Sequence, residues 1–403
     1  MKNIRNYCDH ILSGNNVNIL CPIDVIISNR IKILLFGILL LLPAIRNYAH
    51  AHPPALFYVG TFTSEGAEGI YLCKFYSQNC DIKLIKTFKG IHNPSFIKIS
   101  PDKNTLYAVT RMPEQEGEPA GFVEAYHISN DGELTFLNKQ NSNGSDPCHV
   151  DVSPDGNLVA IATYGGGSIS LYPIKNDGRL LPASSTISLH GSGPDISRQS
   201  SPHAHSIKFS TSGEKVFNAD LGTDQLNIFR IKNKKLIPDK QKQINLAPGA
   251  GPRHFVFNSA ENTIYVINEL NSTVTTIQNI NGNWRKIQII STLHPGYKGE
   301  NYCADIHISN NGNYVYASNR GHNSITIFKV EPDTKKLKRH GSVPCHGDWP
   351  RNFALSPDNN YILVANQKSA NITVFKIDTE TGMLKYTGHE IKLPAPVCIE
   401  FMK

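Results

Sequence analysis

One hairpin is written six times along the chain: a short apolar strand, a turn usually spelled Ser-Pro-Asp, and a second strand that ends on a polar residue. The copies run from Pro94 to Arg111, Pro147 to Tyr164, Ala204 to Leu221, Pro252 to Glu269, Cys303 to Arg320 and Pro350 to Gln367. Their turn residues, Ser100, Ser153, Ser210, Asn258, Ser309 and Ser356, stand 53, 57, 48, 51 and 47 residues apart. So regular a period means a stacked or closed array of one unit.

Within each unit the residues alternate, as in Phe96-Ile97-Lys98-Ile99 and Leu106-Tyr107-Ala108-Val109, and Val, Ile, Tyr and Phe dominate. That is the pattern of strands paired through a tight turn. Further strands follow in each period, such as Ser168 to Tyr172 and Asn371 to Phe375, giving about four strands per 50 residues, the content of a β-propeller blade. At the C-terminus, Pro396 to Met402 reads as a first strand with no second, whereas Leu56 to Phe62 reads as a second strand with no first. Joined, they complete a seventh blade. The expected fold is all-β, a seven-bladed propeller closed by pairing of the N- and C-terminal strands, which removes the free edge of a linear array.

The 403 residues would allow several domains, but one repeat from Leu56 to Met402 makes residues 52–403 a single large one. The net charge of +7 is mild, and part of it lies in the first 51 residues, where Lys2, Arg5, Arg30, Lys32 and Arg46 face only Asp9 and Asp24. With no basic run carrying interleaved aromatics, nucleic acid is not an expected partner. Ile33 to Ile45 is an apolar run of 13 residues behind Arg30 and Lys32, followed by Ala49-His50-Ala51. That is the pattern of a secretory signal peptide cleaved after Ala51, too short for a spanning helix. The protein is therefore expected to be exported, to the periplasm or beyond, with no stable membrane span after cleavage. The long region before the apolar run leaves a downstream start or an uncleaved anchor open. Six cysteines remain after cleavage: Cys73, Cys80, Cys148, Cys303, Cys345 and Cys398. Export and even number permit disulfides, Cys73 with Cys80 within one hairpin above all, but lone cysteines on apolar strands are more often small buried hydrophobes.

The residue five before each turn Ser and the residue eleven after it sit side by side at the open end of their hairpin, and because the first strand of a blade lines the central channel, these positions form two concentric rings, inner and outer, around one channel mouth. The first set is Ser95, Cys148, His205, Arg253, Ala304 and Arg351; the second is Arg111, Tyr164, Leu221, Glu269, Arg320 and Gln367. Polar neighbours accompany them, including His149, His254, Asp305 and Asn319. Five of the twelve are Arg or Glu, a strong bias near an axis where burial of charge is costly. Arg253 and Glu269 could simply pair within one blade, as structural ion pairs do. Four Arg against one Glu nevertheless leave positive charge over, which suits an anionic ligand bearing carboxylate or phosphate. A polar insertion, Leu189 to Pro202, precedes His203-Ala204-His205 and is expected to overhang the mouth. His203 and His205, two apart on a strand, point to opposite faces, and no convergent carboxylate set accompanies them, so no metal is expected. Gly165-Gly166-Gly167 lacks the Lys-Ser/Thr and helix of a phosphate loop and reads as a turn.

These residues resemble the seven-bladed lactonase family that includes bacterial 6-phosphogluconolactonases and fungal carboxy-muconate lactonizing enzymes. The motifs that carry the resemblance are VGTFT (Val59 to Thr63), SPDG (Ser153 to Gly156), PHAHS (Pro202 to Ser206), GPRH (Gly251 to His254), INEL (Ile267 to Leu270), SNRG (Ser318 to Gly321) and WPRNF (Trp349 to Phe353). The resemblance implies a cluster of one His, two Arg and one Glu, which falls on His205, Arg253, Arg320 and Glu269, the residues also reached by counting along the repeat. It implies hydrolysis of a small acidic sugar lactone, 6-phosphogluconolactone first, without a cofactor. His205 is the expected base, with turnover rising through an apparent pKa near ~6.5, displaced up by Glu269 or down by the arginines. Glu269 orients it or shares the role. Arg253 and Arg320 stabilise the oxyanion, and Arg351, Arg111, His149, His254 and Asn319 hold the substrate. A lactonizing cycloisomerase and a non-catalytic exported propeller are the rival readings.

Overall fold

In the computed structural model the described residues are 53–113 and 120–402; the leader reading, residues 1–51, lies outside them. Seven four-stranded antiparallel sheets make seven blades. Blade 1 comprises Pro396–Phe401, Ala55–Thr61, Gly69–Tyr76 and Asp81–Lys89, and blade 2 follows with Pro94–Ile99, Thr105–Arg111, Gly121–Ile128 and Leu134–Asn141. The innermost strands of blades 3 to 7 are Pro147–Val152, Ala204–Phe209, Pro252–Phe257, Tyr302–Ile308 and Pro350–Leu355. No helix among the described residues is long and apolar enough to cross a membrane.

The repeated turn is held by one side-chain oxygen. Ser153 Oγ accepts from Leu158 N at 2.9 Å, and Ser100, Ser309 and Ser356 accept from Thr105, Tyr314 and Tyr361 N at 3.0 Å each. Asn258 replaces Ser without loss because its Oδ1 accepts from Thr263 N at 3.0 Å. A short polar side chain that bonds its own backbone is what specifies such a turn.

The apolar faces of the strands do not form one central core. Seven clusters lie between successive blades, each drawing on two neighbours; Phe57, Val59 and Phe401 of blade 1 meet Leu363, Ile372 and Val374 of blade 7, for example. Buried tyrosines tie the same interfaces: Tyr58, Tyr107, Tyr265 and Tyr316 donate to carbonyls of Gly132, Gly178, Lys335 and Gly382 in the following blade. The bridge between Cys73 and Cys80 is not formed. All six cysteines are free, and burial pushes the Cys73 thiol up to about 12, as fits a small apolar filler.

The ring closes as the sequence predicts. Phe57, Tyr58, Val59 and Gly60 pair with Phe401, Glu400, Ile399 and Cys398, and the Phe57 and Phe401 rings stand 5.2 Å apart. Removing Pro396 to Lys403 deletes the inner strand of blade 1, and with it Ile399 and Phe401 from the cluster shared with blade 7 and Cys398 from the cluster shared with blade 2. The truncated chain is expected to be recovered as aggregate. A soluble monomer with an unchanged melting temperature would show that closure is not needed.

Candidate active site

The site rests on a defect repeated in register. On the innermost strand of blade 2, Pro94 pairs with Thr110 and Phe96 with Val109, leaving Ser95 unpaired. The same skip isolates Cys148 in blade 3, His205 in blade 4, Arg253 in blade 5 and Arg351 in blade 7, and in blade 6 it widens to Ala304 and Asp305. A β-bulge frees one residue from the ladder and re-aims its side chain. Here that residue is the inner-ring position in every blade from 2 to 7. The side-by-side placing of Arg253 and Glu269 in their hairpin is corrected by the same bulge: Glu269 N donates to Gly251 O at 2.7 Å, and Pro252, not Arg253, faces Asn268. The two side chains meet because the bulge turns Arg253 inward.

Glu269 is the centre of the cluster. Its Oε2 lies 3.1 Å from Arg253 Nε and accepts from Arg320 Nη2 at 2.7 Å, while Oε1 accepts from Arg198 Nη2 at 2.6 Å. Backbone carbonyls fix the two strand-borne arginines. Arg253 Nη1 donates to Ala304 O at 2.6 Å, and Arg320 donates through Nε to Tyr302 O and through Nη2 to Cys303 O, both at 3.1 Å. Arg253, Glu269 and Arg320 are buried, so their geometry is set by the fold and not by solvent.

Burial alone would raise the Glu269 pKa, but Arg320, Arg253 and Arg198 outweigh it and hold the carboxyl at about 2. Burial and the Arg320 charge pull Arg253 down to about 10, which leaves it cationic at neutral pH. Arg351 has no hydrogen-bond or ion-pair partner among the described residues; its guanidinium lies 5.0 Å from the centre of the Phe62 ring, and that of Arg111 lies 5.3 Å from the same ring. Arg111 reaches only Pro147 O at 3.4 Å and Asp146 at 3.6 Å. The mouth therefore carries more guanidinium than carboxylate, as the sequence count suggests.

His205 is buried edge-on to Tyr164 and to His254, both with ring centres 5.5 Å away, and its Nδ1 has no partner. Burial, then the Arg253, His254 and Arg351 charges, push its pKa well below the ordinary 6.5. Of the two displacements the sequence allows, the downward one wins. His203 is elsewhere, stacked on Tyr164 with its Nδ1 2.8 Å from Tyr164 O.

His149 and His254 follow the bulged residues and sit one step deeper in the channel. His149 stacks on Phe96 with centres 4.1 Å apart, and His254 binds Asp305 Oδ1 through Nδ1 at 2.7 Å. Asn319 is not at the mouth. Its Oδ1 accepts from Thr292 and Asn301, and its Nδ2 donates to Ser324 and Thr326, so the side chain is saturated inside blade 6. The reason is strand alternation: its neighbour Arg320 takes the channel side. Counting along the repeat also misses Arg198, which comes from the insertion. That loop is anchored by buried Gln199, whose Nε2 donates to Leu221 O and Asp224 Oδ1, both at 2.8 Å. The available signal was that Arg198 is the one Arg or Lys in Leu189 to Pro202.

Comparison with known proteins agrees with this architecture. The family described as "Lactonase, 7-bladed beta-propeller" matches residues 56–401. A 6-phosphogluconolactonase of Bacillus subtilis is 33% identical over 348 residues, 86% of this chain and 97% of that protein. One of Formosa agariphila is 35% identical, covering 74% of this chain and 86% of its own length. The solved structure of a periplasmic gluconolactonase from Pseudomonas aeruginosa superposes with a TM-score of 0.81 at 27% identity, covering 87% of this chain and 99% of that one. The chain belongs to the seven-bladed β-propeller lactonase family.

The central carboxylate makes a stability prediction with a definite sign. Folding lowers the Glu269 pKa from 4.5 to about 2, so its contribution is complete above the upper value and is lost as pH falls through the lower one. The size is on the order of 3 kcal/mol. Glu269→Gln is expected to lower the melting temperature at neutral pH, with the gap to wild type closing as pH falls from 4.5 toward 2. Scanning fluorimetry across that range checks it, and a gap that does not change with pH would contradict it.

Proposed function

We propose that the protein hydrolyses an anionic sugar lactone, with 6-phosphogluconolactone as the best-fitting substrate. The observation that carries this reading is Arg351, an inward-facing guanidinium without an acid partner, sharing the Phe62 ring with Arg111. Such a pair is a seat for a phosphate or carboxylate placed away from the reacting carbonyl. The names of the B. subtilis and F. agariphila relatives support it. The P. aeruginosa relative is a gluconolactonase, which favours a neutral lactone as the second reading.

His205 takes a proton from water as the water oxygen attacks the lactone carbonyl. Arg253 and Arg320 stabilise the resulting oxyanion, held in place by Glu269 and the carbonyls of Ala304, Tyr302 and Cys303. Collapse breaks the ring C–O bond, and the imidazolium returns its proton to the departing alkoxide. The product is the open hydroxy acid, ionised to its carboxylate, and no cofactor is consumed. Glu269, with three guanidinium groups paired to its two oxygens, serves to orient the arginines.

Three outcomes follow. In a pH-indicator assay over a panel of lactones, Arg351→Ala is expected to raise KM about tenfold to a hundredfold for phosphorylated or carboxylated lactones, the scale of a hydrogen bond to a charged group, and to spare neutral ones. Equal losses for both would move the seat elsewhere, and wild-type preference for neutral lactones would favour the gluconolactonase reading. Because His205 stays neutral well below pH 6.5, kcat should be flat through neutrality and fall only on the acid side. His205→Asn should cost about 10²-fold or more in kcat with little change in KM; a mutant of full activity would place the base on another group.

We propose further that residues 1–51 direct export, in line with the periplasmic location named for the P. aeruginosa relative. N-terminal sequencing of the mature protein from cell fractions should begin at His52, and a cytosolic chain with an intact N-terminus would refute it.

A further inference from the structure

We infer that Asp305, through His254, is a positioning residue for Arg253: it fixes the His254 tautomer so that Nε2 receives the guanidinium that faces Glu269. The inference rests on the lactonase reading for its kinetic arm only. Asp305 lies in the widened bulge of blade 6, is buried, and is the most heavily engaged carboxylate of the channel. Its Oδ1 takes His254 Nδ1 at 2.7 Å and Ile306 N at 3.0 Å; its Oδ2 takes His307 Nε2 at 3.0 Å, Asn352 Nδ2 at 2.6 Å and Phe353 N at 3.3 Å.

An ionised carboxylate only accepts, so His254 must carry its proton on Nδ1. Burial holds His254 neutral, at about 4, and its Nε2 therefore presents a lone pair. That lone pair lies 3.4 Å from Arg253 Nη1, which also donates to Ala304 O, the residue before Asp305. Gripped on Nη1 by blade 6 and by His254, Arg253 is left with Nε against Glu269 Oε2. The arrangement is a His–carboxylate pair with a guanidinium where a nucleophile would otherwise stand. Asp305 touches no substrate in it.

The chemistry of the substitution Asp305→Asn is specific. Three donors converge on Oδ2, whereas Oδ1 meets only Ile306 N besides the His254 ring, which can change tautomer, so the amide oxygen stays at Oδ2 and the amide NH₂ faces His254. His254 Nδ1 then has to accept, its proton moves to Nε2, and an N–H points at the Arg253 N–H. Both Asp305→Asn and His254→Phe should therefore lower kcat on the order of 10²-fold, the scale of a small misplacement of a transition-state group, with KM little changed. The double variant should be no slower than the worse single one, because both act on the same contact. His254→Gln, whose amide oxygen can stand where Nε2 stands, should recover much of the loss. Imidazole ¹⁵N NMR gives a readout independent of turnover: His254 protonated on Nδ1 in the wild type and on Nε2 in Asp305→Asn.

Losses that multiply in the double variant, or a His254→Gln variant as slow as His254→Phe, would reduce Asp305 to a structural knot and overturn the inference. So would a wild-type His254 protonated on Nε2. A wild type that opens no lactone would end the lactonase reading, and the NMR tautomers would still decide for or against the positioning.

Discussion

Every blade shows the channel one free edge of its innermost strand, and the N–H and C=O groups of that edge must find partners in a place where water is scarce. In every blade but the fifth, a side chain of the preceding blade supplies at least one of them. His149 accepts from Ile207 N and Asp151 from Phe209 N; Asn352 accepts from Ile399 N and Glu400 from Ile99 N. The carbonyls are met likewise: Ser95 Oγ donates to Pro147 O and Arg253 Nη1 to Ala304 O. Each side chain reaches one blade onward in the same sense around the ring. The polar channel is thus first a solution to strand edges, and a polar residue there is not evidence of chemistry by itself.

Setting aside what the edges use shows what the fold does not need. Arg351 meets no acid, His205 Nδ1 meets nothing, and Arg198 is carried in by a loop that contributes no blade strand. All three are at the mouth. A buried ring nitrogen without a partner, as in His205, and a half-buried guanidinium without a counter-charge, as in Arg351, cost stability and persist where a ligand or reaction uses them. The bulges bring this about cheaply in sequence terms, because one extra residue per strand redirects a side chain without changing the blade.

How much of this was legible in the sequence depended on the range of the interactions. The Ser turn is local, the period-2 alternation is local, and the split blade follows from unmatched strands at the two ends, so the architecture could be read from Ser100, Ser153 and their counterparts. His205, Arg253, Glu269 and Arg320 could be found by counting because the bulge recurs at one position in every blade. The bulge itself could not, and it shifted the expected cross-strand partner of Glu269 from Arg253 to Gly251. Asn319 was misplaced because proximity in sequence to Arg320 says nothing of which face the side chain takes. Arg198 depends on how Gln199 folds the insertion back onto Asp224, a contact between residues 25 apart with no periodic signature.

The charge balance of the mouth explains why one carboxylate serves several arginines. Guanidinium groups buried without any counter-charge would repel one another and cost several kcal/mol each, so a mouth of arginines alone would strain the blades that carry it. Full pairing, with an acid for each arginine, would leave no positive potential for a substrate or an oxyanion to use. Glu269 lies between these limits: its two oxygens form ion pairs with Arg198, Arg253 and Arg320, holding three guanidinium groups with one negative charge. The surplus is then held rigid before any ligand arrives. Rigid surplus charge is what stabilises an oxyanion without reorganisation at the moment it forms, and for a lactone, an ester that already opens slowly in water, that stabilisation together with one neutral imidazole is chemistry enough.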